Sequence, residues 1–213
     1  MHFSHQGPVA SPWLRLVGRI WCRLYGWRVE GGVPAPKAVL IAHPHTSNWD
    51  LVHMIAVSGV LGTWCSWLGK ESLFRPPFGW MLKLLGGVPV DRSAPRGQVG
   101  EAIARIEGAE RILLVVPPSG TRSRRDAWKS GFYWIAHGAQ VPIICGYLDF
   151  KTKRAGLGMS FVPTGDVKAD MDRIRAFYVG MEGLRPENTT RVYLPMEDDP
   201  ASWPAAQQSP VTD

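Results

Sequence analysis

The chain has 213 residues, enough for one domain with a substantial core, and its 24 Lys and Arg against 18 Asp and Glu give a formal net charge of +6. The charge is uneven: residues 1–181 hold 22 basic and 12 acidic residues, so this body expects an anionic partner, whether a phosphate-bearing substrate, an acidic carrier, an anionic lipid or nucleic acid. Cys22, Cys65 and Cys145 sit among apolar residues without paired spacing, which argues against a disulfide framework; no run reaches the roughly 18 apolar residues of a membrane span, and the start lacks the pattern of a secretory signal.

In chain order, residues 1–11 read as flexible. Residues 12–27 read as an amphipathic helix: Trp13, Leu14, Leu16, Val17, Ile20, Trp21 and Leu24 fall on one face, and Arg15, Arg19 and Arg23 on the other. That pattern suits a helix lying in a membrane interface, and equally one docked on its own domain with its arginines in water. The chain's ten Trp fit a protein that meets a boundary between apolar and polar media. Gly31 to Pro36 is a turn, and Ala38 to Ala42 an apolar strand. Asp50 to Val60 reads as a well-covered helix, Thr63 to Leu68 as a strand, and Pro77 to Leu85 as a helix stopped by Gly86-Gly87. Val88 to Val90 is short and extended, closing on Asp91-Arg92. Gln98 to Ala109 has helical periodicity, Arg111 to Val116 is a buried strand, and Pro117 to Ser130 a long polar loop. Gly131 to His137 is helical, Val141 to Phe150 and Leu157 to Val162 are strands, and Asp170 to Val179 is a helix. From Gly183 the prolines and mixed polar residues predict a loosely held tail. Alternating strands and helices imply an α/β fold, a central mostly parallel sheet flanked by helices. The expected organisation is an N-terminal segment and interface helix (1–30), the main domain (31–182) and a Pro-rich acidic tail (183–213).

Two loops carry chemistry. The first is His45-Thr46-Ser47-Asn48-Trp49-Asp50, directly after the strand ending at Ala42. A His backed by a carboxylate is a general base held in one tautomer, and it needs no Ser or Cys nucleophile if the substrate brings its own hydroxyl. The same residues also fit a helix capping box, Ser47 with Asp50, in which His45 is incidental. His43, His45 and His53 invite a metal reading, but no Cys or carboxylate joins them at familiar zinc spacing. The second loop, Pro117-Pro118-Ser119-Gly120-Thr121-Arg122-Ser123-Arg124-Arg125, follows the buried strand 111–116. Its glycine permits close approach, its hydroxyls donate to phosphate oxygens, and its arginines offer bidentate forks; a solvated basic loop would read the same. It is not a Walker loop, since the Gly-Lys-Ser/Thr ending is missing. Arg92 adds a further strand-end cation.

Four stretches, in order, resemble the glycerolipid (lysophospholipid) acyltransferase superfamily, which includes 1-acylglycerol-3-phosphate acyltransferases. They are His45 to Asp50, Gly87 to Arg92, Pro118 to Ser123, and Val141 to Cys145; Trp128 to His137 and Pro163 to Asp166 look like a bacterial branch of it. The resemblance implies acyl transfer from a thioester, acyl-CoA or acyl carrier protein, to a hydroxyl of a lysophospholipid or glycerol-phosphate-type acceptor. On that basis His45 is the general base and Asp50 its orienting partner, while Arg92, Gly120, Thr121 and Arg122 hold the acceptor's phosphate. Arg124, Arg125 and Lys129 then greet the donor's phosphates, an acidic carrier or anionic lipid. No metal or redox cofactor is implied. The expected place is the cytoplasmic face of a membrane, bound peripherally through residues 12–27. Two positions depart from the family: Ser119 stands where its third block has Glu, and Cys145 where its fourth has a second Pro. Ser119 is the best argument for an alternative, a catalytically inactive lipid-binding protein of the same fold. A thioesterase using the dyad on water is another. A nucleic-acid binder fits poorly, since the basic residues gather in strand-end loops and on one helix without a recognition motif.

Overall fold

A computed structural model describes residues 10–77, 79–90 and 95–199. The elements are α1 (Pro12–Leu24), β1 (Arg28–Glu30), β2 (Lys37–Ala42), α2 (Trp49–Leu61), β3 (Ser66–Lys70), α3 (Gly79–Leu84), β4 (Gly87–Val90), α4 (Pro95–Gly108), β5 (Ile112–Val116), α5 (Gly131–Gly138), β6 (Ile143–Asp149), β7 (Arg154–Phe161) and α6 (Val167–Tyr178). Short 3-10 turns lie at Glu71–Phe74, Pro186–Asn188 and Pro195–Glu197.

The strands form one seven-stranded sheet in the order β1-β7-β6-β2-β5-β3-β4. Every described neighbour pair is parallel except β6 with β7, which is antiparallel. A parallel sheet needs cover on both faces, and the alternation of side chains supplies it. Val39 and Ile41 of β2, Ile112 and Leu114 of β5, and Ile143 of β6 join one core with Ala102 and Ile106 of α4, Phe132 of α5 and Met171 and Ile174 of α6. Ala38, Leu40, Leu113, Val115 and Ile144 turn to the other face, where Met54 and Leu61 of α2 meet them. The result is three layers, with α4, α5 and α6 on one side of the sheet and α1, α2 and α3 on the other.

Local chemistry sets the helix ends. Ser11 accepts from the Leu14 amide at 3.2 Å, and Pro12 opens α1. Asp166 accepts from the Ala169 amide at 2.9 Å to start α6, and Gly62 at φ +73° closes α2. Helix α1 lies against α2 through its small residues: Gly18 and Cys22 are buried, and Leu14 and Trp21 are partly covered. Trp13, Leu16, Val17, Ile20 and Leu24 stay exposed, Trp13 at 73 % and Leu24 at 76 %. Among the described residues no helix is long and apolar enough to cross a membrane.

Two expectations differ from the structure. The segment from Gly183 to Asp199 is not loosely held: Leu194 is fully buried in the main core, Thr190 and Glu197 are buried, and Arg175 of α6 pairs with Glu197. Proline content marked the absence of regular structure there, which is a different matter from the absence of packing. The boundary at residue 30 also cuts through the sheet, because β1 pairs in parallel with β7, with Arg28 opposite Arg154. A three-residue strand offers too little periodicity to be seen.

Candidate active site

Strands β2 and β5 are neighbours, and both chemistry-bearing loops leave their carboxyl ends, where open α/β sheets place their ligand sites. The His45 loop runs from β2 into α2, which puts Asp50 in the first turn of that helix. Asp50 is 4 % exposed, and one of its oxygens, Oδ2, takes three bonds: His45 Nδ1 at 3.1 Å, the Thr46 amide at 2.8 Å and the Ser47 amide at 2.9 Å. The other oxygen, Oδ1, is buried and has no hydrogen-bond partner among the described residues. Ser47 Oγ accepts from the Trp49 amide at 3.2 Å. The carboxylate therefore both ties down the helix entrance and contacts the imidazole; only half of the expected capping box forms, since the Ser47 hydroxyl accepts from the Trp49 amide rather than from that of Asp50. Its negative charge at a helix N-terminus is also favourably placed.

The second loop meets the first. His45, Asp50, Gly120, Thr121 and Arg122 line one cavity of about 440 Å³. Gly120 adopts φ +65°, the left-handed region that glycine favours, and a side chain there would press on Lys129. Ser119 is buried, and its hydroxyl donates to the Thr121 carbonyl at 2.8 Å, so it braces its own loop. Arg122, Arg124, Arg125 and Lys129 are exposed around it. Arg92 lies outside the described residues.

Away from the dyad the cavity is apolar and runs between α2 and the sheet. Leu51, Met54 and Val57 form its helical wall, Val115 and Trp67 its sheet wall, and Leu82 of α3 closes one side. The sequence marked α2 as well covered, but not as the wall of a cavity. Its unbroken hydrophobicity was the available signal, since such a helix has no side meant for water. Cys65 lines the cavity too, and burial pushes its thiol up to about 12, far from thiolate reactivity.

The three histidines occupy different surroundings. His43 is buried with its ring 4.9 Å from those of Trp128 and Tyr178; burial, and secondly the neighbouring His45, hold it down to about 3, so it is neutral. His53 accepts from Trp21 Nε1 at 3.1 Å, joining α2 to α1, and burial lowers its pKa as well. Among the described residues no group of three His, Cys, Asp or Glu side chains gathers as metal ligands.

The Acyltransferase family matches residues 27–148, more than half of the chain and all of the site. The chain belongs to that family. It is 32 % identical over 93 residues to a 1-acyl-sn-glycerol-3-phosphate acyltransferase of Pseudomonas aeruginosa, covering 38 % of this chain and 35 % of the relative. It is 32 % identical over 107 residues to an enzyme of the same name from Streptococcus pneumoniae, covering 50 % of this chain and 39 % of that one. The chain thus spans less than half the length of these curated relatives. The crystal structure of the 1-acyl-sn-glycerophosphate (LPA) acyltransferase PlsC from Thermotoga maritima shares the fold at TM-score 0.51 and 18 % identity, covering 71 % of this chain and 68 % of that chain.

Proposed function

We propose that the protein is an acyltransferase that moves a fatty acyl group from an acyl thioester to the hydroxyl of a lysophospholipid or glycerol-phosphate-type acceptor. The observation that carries this is the His45–Asp50 dyad at one end of an apolar cavity, beside a loop built for an anion. In this reading Asp50 accepts a hydrogen bond from His45 Nδ1–H, which leaves Nε2 to take the proton of the acceptor's hydroxyl. The freed oxygen attacks the thioester carbonyl. The tetrahedral adduct collapses, the C–S bond breaks, and the sulfur leaves with the proton that His45 returns. The products are an ester and a free thiol, so atoms and charge balance. Thr121 and Arg122 hold the acceptor's phosphate and place its hydroxyl beside His45, an orientation effect. The apolar cavity takes the acyl chain. No cofactor enters the step; acyl-CoA or acyl carrier protein is the co-substrate.

The exposed apolar stripe of α1, flanked by Arg15, Arg19 and Arg23, rests on an anionic membrane surface in this reading. The placement is peripheral, and it brings the site to where lysolipid and product reside.

The test is a labelled acyl-CoA transfer assay on vesicle-bound protein with a panel of lysolipid acceptors, repeated with acyl carrier protein, and with His45→Ala alongside. Labelled diacyl product from the wild type alone supports the reading. Release of fatty acid without ester points to a thioesterase. Lipid binding with no turnover on either donor overturns the proposal in favour of an inactive lipid-binding protein.

A further inference from the structure

The carboxyl-terminal segment touches both site loops through two hydroxyl groups, of Thr46 and Thr190, to which the acyl-transfer reading gives no role. Thr46 follows the dyad's histidine. Its amide donates to Asp50 at 2.8 Å, while its hydroxyl accepts from the Arg185 amide at 3.2 Å. Gly183 lies so close that a Cβ there would sit 2.5 Å from Thr46 Oγ1. Five residues beyond Arg185, the buried Thr190 hydroxyl accepts from the Arg125 amide in the anion loop at 3.1 Å. The Trp128 amide then donates to the Tyr193 carbonyl at 2.8 Å. The far end is pinned to the body. Leu194 is fully buried, its amide donates to Glu197 Oε1 at 2.7 Å, and Arg175 forks to the Val192 carbonyl at 3.1 Å and to Glu197 Oε2 at 2.5 Å.

We infer that residues 183–197 are a strap that fixes the spacing between the His45 loop and the anion loop, with Thr46 and Thr190 as positioning residues. The inference rests on the acyl-transfer reading for its kinetic consequence, but not for its structural one. The base and the phosphate site lie on separate loops, joined by the ring contact of His43 with Trp128 and by this strap. A strap with one hydroxyl on each loop and a clamped end adds a second tie between two loops whose strands already pair in the sheet. Thr190 steadies the loop that grips the acceptor's phosphate and Thr46 the loop that carries the base, so losing the first is read in the acceptor's KM and losing the second in kcat.

The experiment compares wild type, Thr190→Val and Thr190→Ser. Steady-state kinetics vary lysophosphatidate and acyl-CoA separately, and amide hydrogen exchange is followed over residues 119–128. Valine leaves the Arg125 amide without its acceptor. The expected result is an acceptor KM raised roughly tenfold, with kcat and the donor KM within about twofold and faster exchange in the anion loop. Serine restores all of these. The companion variant Thr46→Val lowers kcat instead, by roughly tenfold, because it loosens the loop that carries the base. Unchanged KM and unchanged exchange in Thr190→Val overturn the inference. So does a loss in which kcat and both KM values move together with a lower melting temperature and serine fails to rescue, since that is a general structural role. If the wild type acylates no lysolipid, the functional proposal fails by itself. The exchange comparison then decides the strap alone: faster in Thr190→Val supports it, and unchanged overturns it.

Discussion

Asp50→Asn separates the two duties that one carboxylate oxygen performs. In the wild type Oδ2 receives two backbone amides and the His45 imidazole, at 2.8, 2.9 and 3.1 Å. An asparagine with its carbonyl oxygen in that place keeps the bonds but loses their charge assistance, worth about 1 kcal/mol for each of the two amides. It also loses a negative charge in the first turn of α2, roughly 0.3–1 kcal/mol. Its NH2 group then occupies the position of Oδ1, which is buried without a partner, and an unsatisfied buried donor costs about 1–3 kcal/mol. The total is about 3–6 kcal/mol, which moves a urea midpoint by roughly 2 M at a typical slope. With the amide flipped, NH2 faces His45 instead and selects the tautomer with its proton on Nε2, which cannot accept the substrate's proton. Unflipped, the residue keeps the Nδ1 bond but loses the charge that stabilises the imidazolium, so kcat falls in both orientations, by roughly 10²–10⁴ in the flipped one. His45→Ala is the control: it removes the base with a similar kinetic loss, but it leaves both amide bonds to Asp50 and lowers stability by less than about 1 kcal/mol. Chemical denaturation and the transfer assay read both variants. An Asp50→Asn protein that unfolds with the wild type, or that keeps kcat within about tenfold, refutes this account of Oδ2.

Gly183→Ala drives a methyl group into the Thr46 side chain, with 2.7 Å left to Cγ2, and is expected to lower kcat by displacing the His45 loop while circular dichroism stays native. His43 gives a pH signature. Its imidazole is held at about 3 in the fold against 6.5 unperturbed, so between those values the unfolded chain binds a proton that the native one does not. Stability present above pH 6.5 is therefore lost as pH falls toward 3, by about 1.4 kcal/mol per unit, or about 2 kcal/mol by pH 5; His43→Phe should flatten this limb in urea titrations at pH 5 and pH 7. Leu16→Glu with Ile20→Glu leaves thermal stability near wild type, because both side chains are exposed, and should weaken binding to anionic vesicles by tenfold or more for each apolar side chain removed, roughly 1.5–3 kcal/mol apiece; unchanged sedimentation with vesicles would remove α1 from the lipid contact.

The legible part of the molecule was whatever repeats locally. Ala38 to Ala42 and Arg111 to Val116 appear as the strands β2 and β5 within a residue of expectation, because an apolar run buried on both faces has few other uses. The spacing of His45 and Asp50 sufficed for their 3.1 Å contact, since a loop entering a helix brings back its first-turn carboxylate. Long-range packing was not legible. Strand β3 begins at Ser66 rather than Thr63, displaced by its registration on Leu114 of β5. The cavity wall joins Met54, Trp67 and Leu82 from three elements, and no local pattern announces a space between them. The strap was misread because its anchors, Thr190 and Leu194, are single residues in an irregular stretch whose partners lie far away in sequence. Ser119 stands where the resemblance implies Glu, and what its hydroxyl does was not legible: it donates to the Thr121 carbonyl within its own loop.

Helix α2 links the exposed apolar stripe of α1 to the site. Its first turn carries Asp50, one face walls the cavity through Leu51, Met54 and Val57, and another receives α1. That last contact is made by small residues. A Cβ on Gly18 would lie 2.4 Å from the Ala56 carbonyl oxygen, and one on Gly59 would lie 2.4 Å from that of Leu14. Two backbones this close need no large side chains to bury the seam between them, so Trp13, Leu16, Val17, Ile20 and Leu24 are free to point away from the protein. Had α1 docked by its apolar stripe in the usual way, the arginines would face water and nothing would remain for a lipid surface. Exposed Trp80, Met81 and Leu84 on α3, which lies on the same side of the sheet, extend the apolar surface beside the cavity. The glycines therefore do more than permit a close crossing: they decide which side of α1 packs on the fold and which stays exposed.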